Sequence, residues 1–171
     1  PSAVTEAIEE QYLPLGKHSP HTLIGSALSI LDKYDTLTGY FGVGIEPTGD
    51  QDPFGLRRAA QGIVEVAWTI HRPLPLEALI RTRSSMPPFL NAQPKVIAAA
   101  AARVQQYLFE RLYTFAWPSP APTPDCIAAV LTIPCTDLID AMDRMVSLQR
   151  LSGQAGLLKA AKVIERTHNI L

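Results

Sequence analysis

Two cysteines, Cys126 and Cys135, are all the chain contains, with eight residues between them and no second pair. That spacing matches neither a zinc site nor a disulfide framework, and a reducing setting is the expectation. No run of about 18 apolar residues occurs, so no membrane span is expected. No basic-plus-apolar leader precedes "AVTEAIEEQYL", and the start at Pro1, in mid-pattern, reads as part of a longer protein. Strict apolar–polar alternation is missing, which leaves no credible strand. Nor is there a His-Asp dipeptide, a phosphate-cradling glycine loop or a nucleophile–base pair.

What remains is a globular composition. Of 171 residues, 47% are apolar and 18% charged, too apolar for a disordered chain. Alanine and leucine outweigh the β-branched residues, which leans helical. The net charge of −1 hides an asymmetry: residues 1–56 carry −6 and residues 57–171 carry +5. A basic C-terminal two-thirds suits an anionic partner, and equally suits solvated helix faces.

Periodicity and punctuation predict helices over 2–13, 20–41, from Asp52-Pro53 to about 70, a short one near 75–83, then 94–116, 124–132, from Thr136 or Asp137 to 151, and 154–168. Asp52 is placed as an N-cap with Pro53 at N1. Pro73, Pro75, Pro87, Pro88 and Pro94 break the middle and mark a linker. The expectation is all-α, in two small helical bundles joined by that Pro-rich linker.

On a wheel of about 100° per residue, Ile24, Ala27, Leu28, Leu31, Tyr34 and Thr38 form one stripe of helix 20–41, widened by Leu23, Ile30 and Leu37. Asp35 falls inside this arc, Asp32 on its edge, and Lys33 points away. A carboxylate on a buried face needs a partner. It either accepts bonds from a neighbouring helix or arginine, or serves as a metal or general-base carboxylate. Arg57 and Arg58 sit in the first turns after Asp52, where a cation is mildly unfavourable. A carboxylate (Asp52, Asp35 or Glu65) or a phosphate would compensate. Arg103, Tyr107 and Arg111 share a face at i, i+4, i+8, a pattern suited to phosphate contact and base stacking, or to a solvated face. Lys159, Lys162 and Arg166 form a further stripe. His18-x-x-His21 straddles Pro20 with no other ligand at metal spacing, so it is not taken as a metal site.

The blocks around these residues are more specific than their spacing. "AIEEQYLPL", then Asp32-Lys33-x-Asp35-x-Leu37, then Pro47-Thr48-Gly49, then Asp52-Pro53-Phe54-x-Leu56-Arg57-Arg58-Ala59-Ala60-x-Gly62 follow in order. They resemble the β subunit of bacterial-type heterotetrameric glycyl-tRNA synthetase, closely over residues 6–65. "LFERLY", "DAMDRM" and "ERTHNIL" resemble blocks of the family's tail more loosely. In that tail Arg166, Asn169 and Ile170 match, while Glu165 stands where the family usually has lysine.

The resemblance places the chain in the C-terminal region of such a subunit. It implies that 1–75 is the C-terminal half of an HD-like helical domain, 76–93 a linker, and 94–171 an anticodon-binding-like domain. Of the HD metal ligands only a late Asp, Asp32 or Asp35, could be matched, so no metal site is expected. Asp32, Asp35 and Asp52 become a structural or vestigial acidic site. Arg57, Arg58, Arg103, Tyr107, Arg111, Lys159, Lys162 and Arg166 become the tRNA-binding candidates. The implied partners are glycine tRNA and the α subunit of an α2β2 enzyme in the cytoplasm, with neither membrane nor DNA. No catalytic residue or cofactor is expected here, ATP and Mg belonging to the α subunit. The alternatives are an HD-type metal-dependent phosphohydrolase fragment and a structural helical docking module.

Overall fold

A computed structural model describes residues 2–16, 18–48, 52, 54–85 and 93–168. Gly49, Pro53, Pro87, Pro88, Asn169 and Ile170 lie outside the described residues. Among those described the chain is all-α, with no strand. Its helices are α1 (Ala3–Glu10), α2 (Leu23–Gly42), α3 (Leu56–Ile70), α4 (Leu76–Ser85), α5 (Pro94–Arg111), α6 (Pro124–Leu131), α7 (Leu138–Ser152) and α8 (Ala155–His168).

Local chemistry sets most of these boundaries. The hydroxyls of Ser2, Thr22 and Thr123 and the carboxylate of Asp137 accept amide bonds at the starts of α1, α2, α6 and α7, each such cap being worth about 1 kcal/mol. Helix α2 therefore starts after Thr22, and Pro20 precedes the helix instead of lying in its first turn. Helix α3 begins at Leu56, not at Pro53. Gly55 is its N-cap, in a left-handed conformation (φ 68°) that favours glycine. Helix α5 ends at Arg111, short of the expected 116. Beyond it, the edges of Trp68, Phe115 and Trp117 meet at ring-centroid distances of 5.0–6.0 Å, and the Trp117 indole donates to Leu112 O. This aromatic knot ties the end of α3 to the turn after α5.

Leu56, Ala60, Ile63, Val64 and Ala67 of α3 are fully or almost fully buried, as their spacing predicts. Helix α5 packs across both α2 and α3, and α7 reaches α3. Most of the buried hydrophobic residues form one cluster, from Ile30 and Leu37 through Leu76 and Val104 to Met142 and Met145. Residues on both sides of the expected linker thus share one core. Within 76–93, Leu76 is itself buried in that core and α4 occupies 76–85. The backbone pairs Leu76 N with Thr136 O (2.9 Å) and Leu138 N with Leu74 O (3.4 Å), which clasps the start of α4 to the start of α7.

Candidate functional site: the junction of α2, α3 and α5

The wheel of α2 is turned relative to the sequence expectation. Ile30, Tyr34, Leu37, Thr38 and Phe41 are buried, but so are Gly25, Ser26 and Ser29. Ile24 and Leu31 are 60% and 46% exposed. Asp32 and Asp35 lie on the exposed side, and it is Lys33 that turns inward. Its ammonium donates to Gln11 O (3.1 Å), Leu13 O (2.6 Å) and Ser29 Oγ (2.9 Å). Burial lowers the Lys33 pKa, with the Asp32 charge opposing the shift. Small residues let the 11–14 segment approach α2, and its carbonyls call for a donor. A wheel that weighs only apolar side chains misses that face.

A second buried ionic group was not anticipated. The Glu10 carboxylate accepts from His21 N (2.7 Å), from Thr22 N and from the Thr22 hydroxyl, so it caps α2 from another helix. Gly25 is required there, because a Cβ would fall inside the carboxylate. Burial raises the Glu10 pKa, but the bonds from Thr22 and His21 and the His21 charge outweigh it, and the net shift is downward. His21 spans Glu10 on Nδ1 (2.5 Å) and Glu6 on Nε2 (2.9 Å). Its two nitrogens face different carboxylates, so they do not converge on one ion. Among the described residues no three metal-ligating side chains gather. The sequence offered no local signal separating buried Glu10 from exposed Glu9.

Asp52 does cap α3, though by side chain from three residues before Gly55. Its Oδ1 accepts from Leu56 N (2.7 Å) and its Oδ2 from Arg57 N (2.9 Å). Asp32, Asp35 and Asp52 are therefore not one acidic site. Asp52 belongs to α3, and the other two to the exposed side of α2.

Of the RNA-binding candidates, Arg58 lies in the first turn of α3, and Arg103, Tyr107 and Arg111 lie on α5. Arg103 pairs with Glu46 (3.0 Å) and Glu110 (3.1 Å) at the surface, contacts worth at most about 1 kcal/mol each. Arg58 is exposed, and its guanidinium folds back over Gly55. Tyr107 is only 5% exposed. Its ring tilts against Phe41, at 5.5 Å between centroids, and the Arg111 guanidinium covers it at 4.7 Å. That geometry corrects the expectation of a base-stacking surface, since the ring is spent on packing. Burial raises the Tyr107 pKa; the charges of Arg111 and Arg57 and a hydrogen bond with Arg57 pull it back, while Asp52 pushes it up. Arg111 Nε is buried without a hydrogen-bond partner. A buried donor left so costs about 1–3 kcal/mol. Lys159, Lys162 and Arg166 lie apart from this junction, on α8, a helix exposed along nearly all its length.

Fold and site define an all-helical protein in which Arg57 and Arg58 stand at the capped start of α3 and Arg111 covers a buried tyrosine on α5. The chain belongs to the family described as the glycyl-tRNA synthetase beta subunit, whose model matches residues 1–132. It is 33% identical to the glycine–tRNA ligase beta subunit of Trichodesmium erythraeum (strain IMS101) over 175 residues, which covers 96% of this chain and 24% of that protein. The corresponding subunit of Acidobacterium capsulatum is 32% identical across 99% of this chain. That of Pseudomonas putida (strain W619) is 40% identical across 66% of it. The chain spans about a quarter of the length of the curated relatives it matches. No helix among the described residues is long and apolar enough to cross a membrane.

Proposed function

We propose that this chain is the tRNA-binding, C-terminal portion of a glycine–tRNA ligase β subunit, acting in the cytoplasm on glycine tRNA beside a catalytic α subunit. In this reading the portion binds no cofactor and carries no catalytic group. ATP and Mg act in the α subunit, and the α2β2 assembly performs the aminoacylation. One observation carries the RNA-binding reading within this family. Lys159, Lys162 and Arg166 stand on an exposed helix, and no described residue pairs with them. Cations left open to solvent attract phosphates and release their counterions.

The test is binding of the chain to glycine tRNA and to a non-cognate tRNA over a salt series. Replacing Lys159, Lys162 and Arg166 together by alanine should flatten the slope of log K against log salt by roughly 2–3, with melting unchanged. An unaltered slope would remove α8 from the RNA surface. Equal affinity for both tRNAs would reduce the reading to a phosphate-binding face without base readout.

The docking-module reading has its own observation. Leu23, Ile24 and Leu31 of α2 and Val4 and Ile8 of α1 are all exposed apolar side chains. The two roles are compatible within one subunit.

A further inference from the structure

We propose that the open cavity between the second half of α5 and the turn joining α6 to α7 receives an arginine side chain of a protein partner. Glu110 takes the guanidinium, and the apolar walls take its stem. The proposal stands apart from the RNA-binding reading, because this surface has the opposite charge preference.

The cavity holds about 330 Å³, at the small end of ligand sites, so it suits one side chain and not a large cofactor. Phe109 and Tyr113 line it from the α5 side, and Leu131 and Ile133 from the α6 side. Gln106 and Glu110 supply its polar edge. Gln106, Phe109 and Glu110 share one face of α5 at i, i+3 and i+4. Tyr113 and Ile133 are exposed, which leaves apolar surface open to solvent at the mouth.

Charge decides what enters. Glu46 and Glu110 both pair with the Arg103 guanidinium, at 3.0 and 3.1 Å. Two carboxylates thus share one cation. Asp140, beside Cys135 on the opposite rim, is matched by Arg144 at 2.7 Å, and Asp137 is turned to the first amides of α7. The edge at Glu110 therefore keeps a negative charge in excess, which repels a phosphate and draws a cation. Glu110 meets Arg103 through Oε1, and among the described residues its Oε2 has no bond. A guanidinium offers forked donors and a flat face. One N–H donates to Glu110 Oε2 and another to the Gln106 side-chain carbonyl, while the flat face lies on the Tyr113 ring. The methylene stem covers Leu131 and Ile133. A lysine ammonium has neither the fork nor the flat face, and a neutral apolar side chain leaves the carboxylate unmatched.

The experiment titrates the chain with N-acetyl-arginine methylamide and with the citrulline counterpart, which has the same shape without the charge, and follows backbone amide shifts by NMR. The arginine compound should bind with a Kd on the order of millimolar, move the amides of residues 106–113 and 131–135, and exceed the citrulline compound roughly fivefold. Glu110→Gln should remove that preference with melting little changed, since Arg103 keeps Glu46. Ile133→Ser should weaken both compounds alike, which a charge effect alone does not produce. Equal affinity for the two compounds, or an arginine preference that survives Glu110→Gln, would overturn the site. Guanosine monophosphate moving the same amides at lower concentration would assign the cavity to a nucleobase and overturn the proposal as well.

Discussion

At position 25 there is room for a hydrogen and nothing more. A methyl group must push aside the Glu10 carboxylate, and with it the cap on His21 N and Thr22 N. Overpacking costs about 1–3 kcal/mol and a lost cap about 1 more. Gly25→Ala should therefore lower the melting temperature by roughly 5 °C or more, read by circular dichroism. A wild-type melting curve would mean that Glu10 does not hold α2. Lys33 shows why such residues are hard to find beforehand. Between two aspartates on a polar-looking arc, nothing local says that it turns inward. The cause is distant: carbonyls of Gln11 and Leu13 that need a donor, brought close by Ser29 and its small neighbours. Asp52 was half legible, because its capping chemistry is local, but the glycine that delays the helix start shifts the register.

Among the elements, those whose environment is one-sided were readable. Helix α3 repeats its apolar residues at helical spacing and buries them against α2 and α5. Thr123-Pro124 and Asp137 announced α6 and α7. Helix α2 was misread because it is apolar on more than one side. The consequence is testable. Replacing Ile24 and Leu31 by serine removes exposed rather than buried area, so melting should change by less than about 0.5 kcal/mol, while any concentration-dependent association seen by light scattering should fall. A strong loss of stability would place the stripe inside the fold after all. Helix α5 showed its Arg103–Tyr107–Arg111 face in the sequence, but not the meeting of that face with the start of α3, which depends on how three helices cross.

For the whole molecule, charge and core tell different stories. The acidic first third and the basic remainder touch, as in the Arg103–Glu46 pair. The acid sensitivity of the fold should nevertheless come chiefly from Glu10, whose pKa is depressed in the folded state. A group of that kind contributes stability that is full above its unfolded pKa, near 4.5, and is lost as pH falls through the lower folded value. Melting temperature should thus be flat near neutrality and drop below about pH 4.5. Glu10→Gln should start lower and lose less over the acid range. An identical acid profile in that variant would shift the cause to other carboxylates.

The backbone clasp between residues 74–76 and 136–138 bears on how the chain carries load. Tension applied at Ala3 and Ser152 enters through α1–α3, crosses at the paired peptides of Leu76–Thr136 and Leu138–Leu74, and leaves along α7. The stretch between the two clasped segments, with α4, α5 and α6 inside it, is bypassed along the backbone but held by packing against the same core. Pulled between Ala3 and Ser152, the chain would load these two hydrogen bonds together with the packing of α5 on α2 and α3 and of α7 on α3.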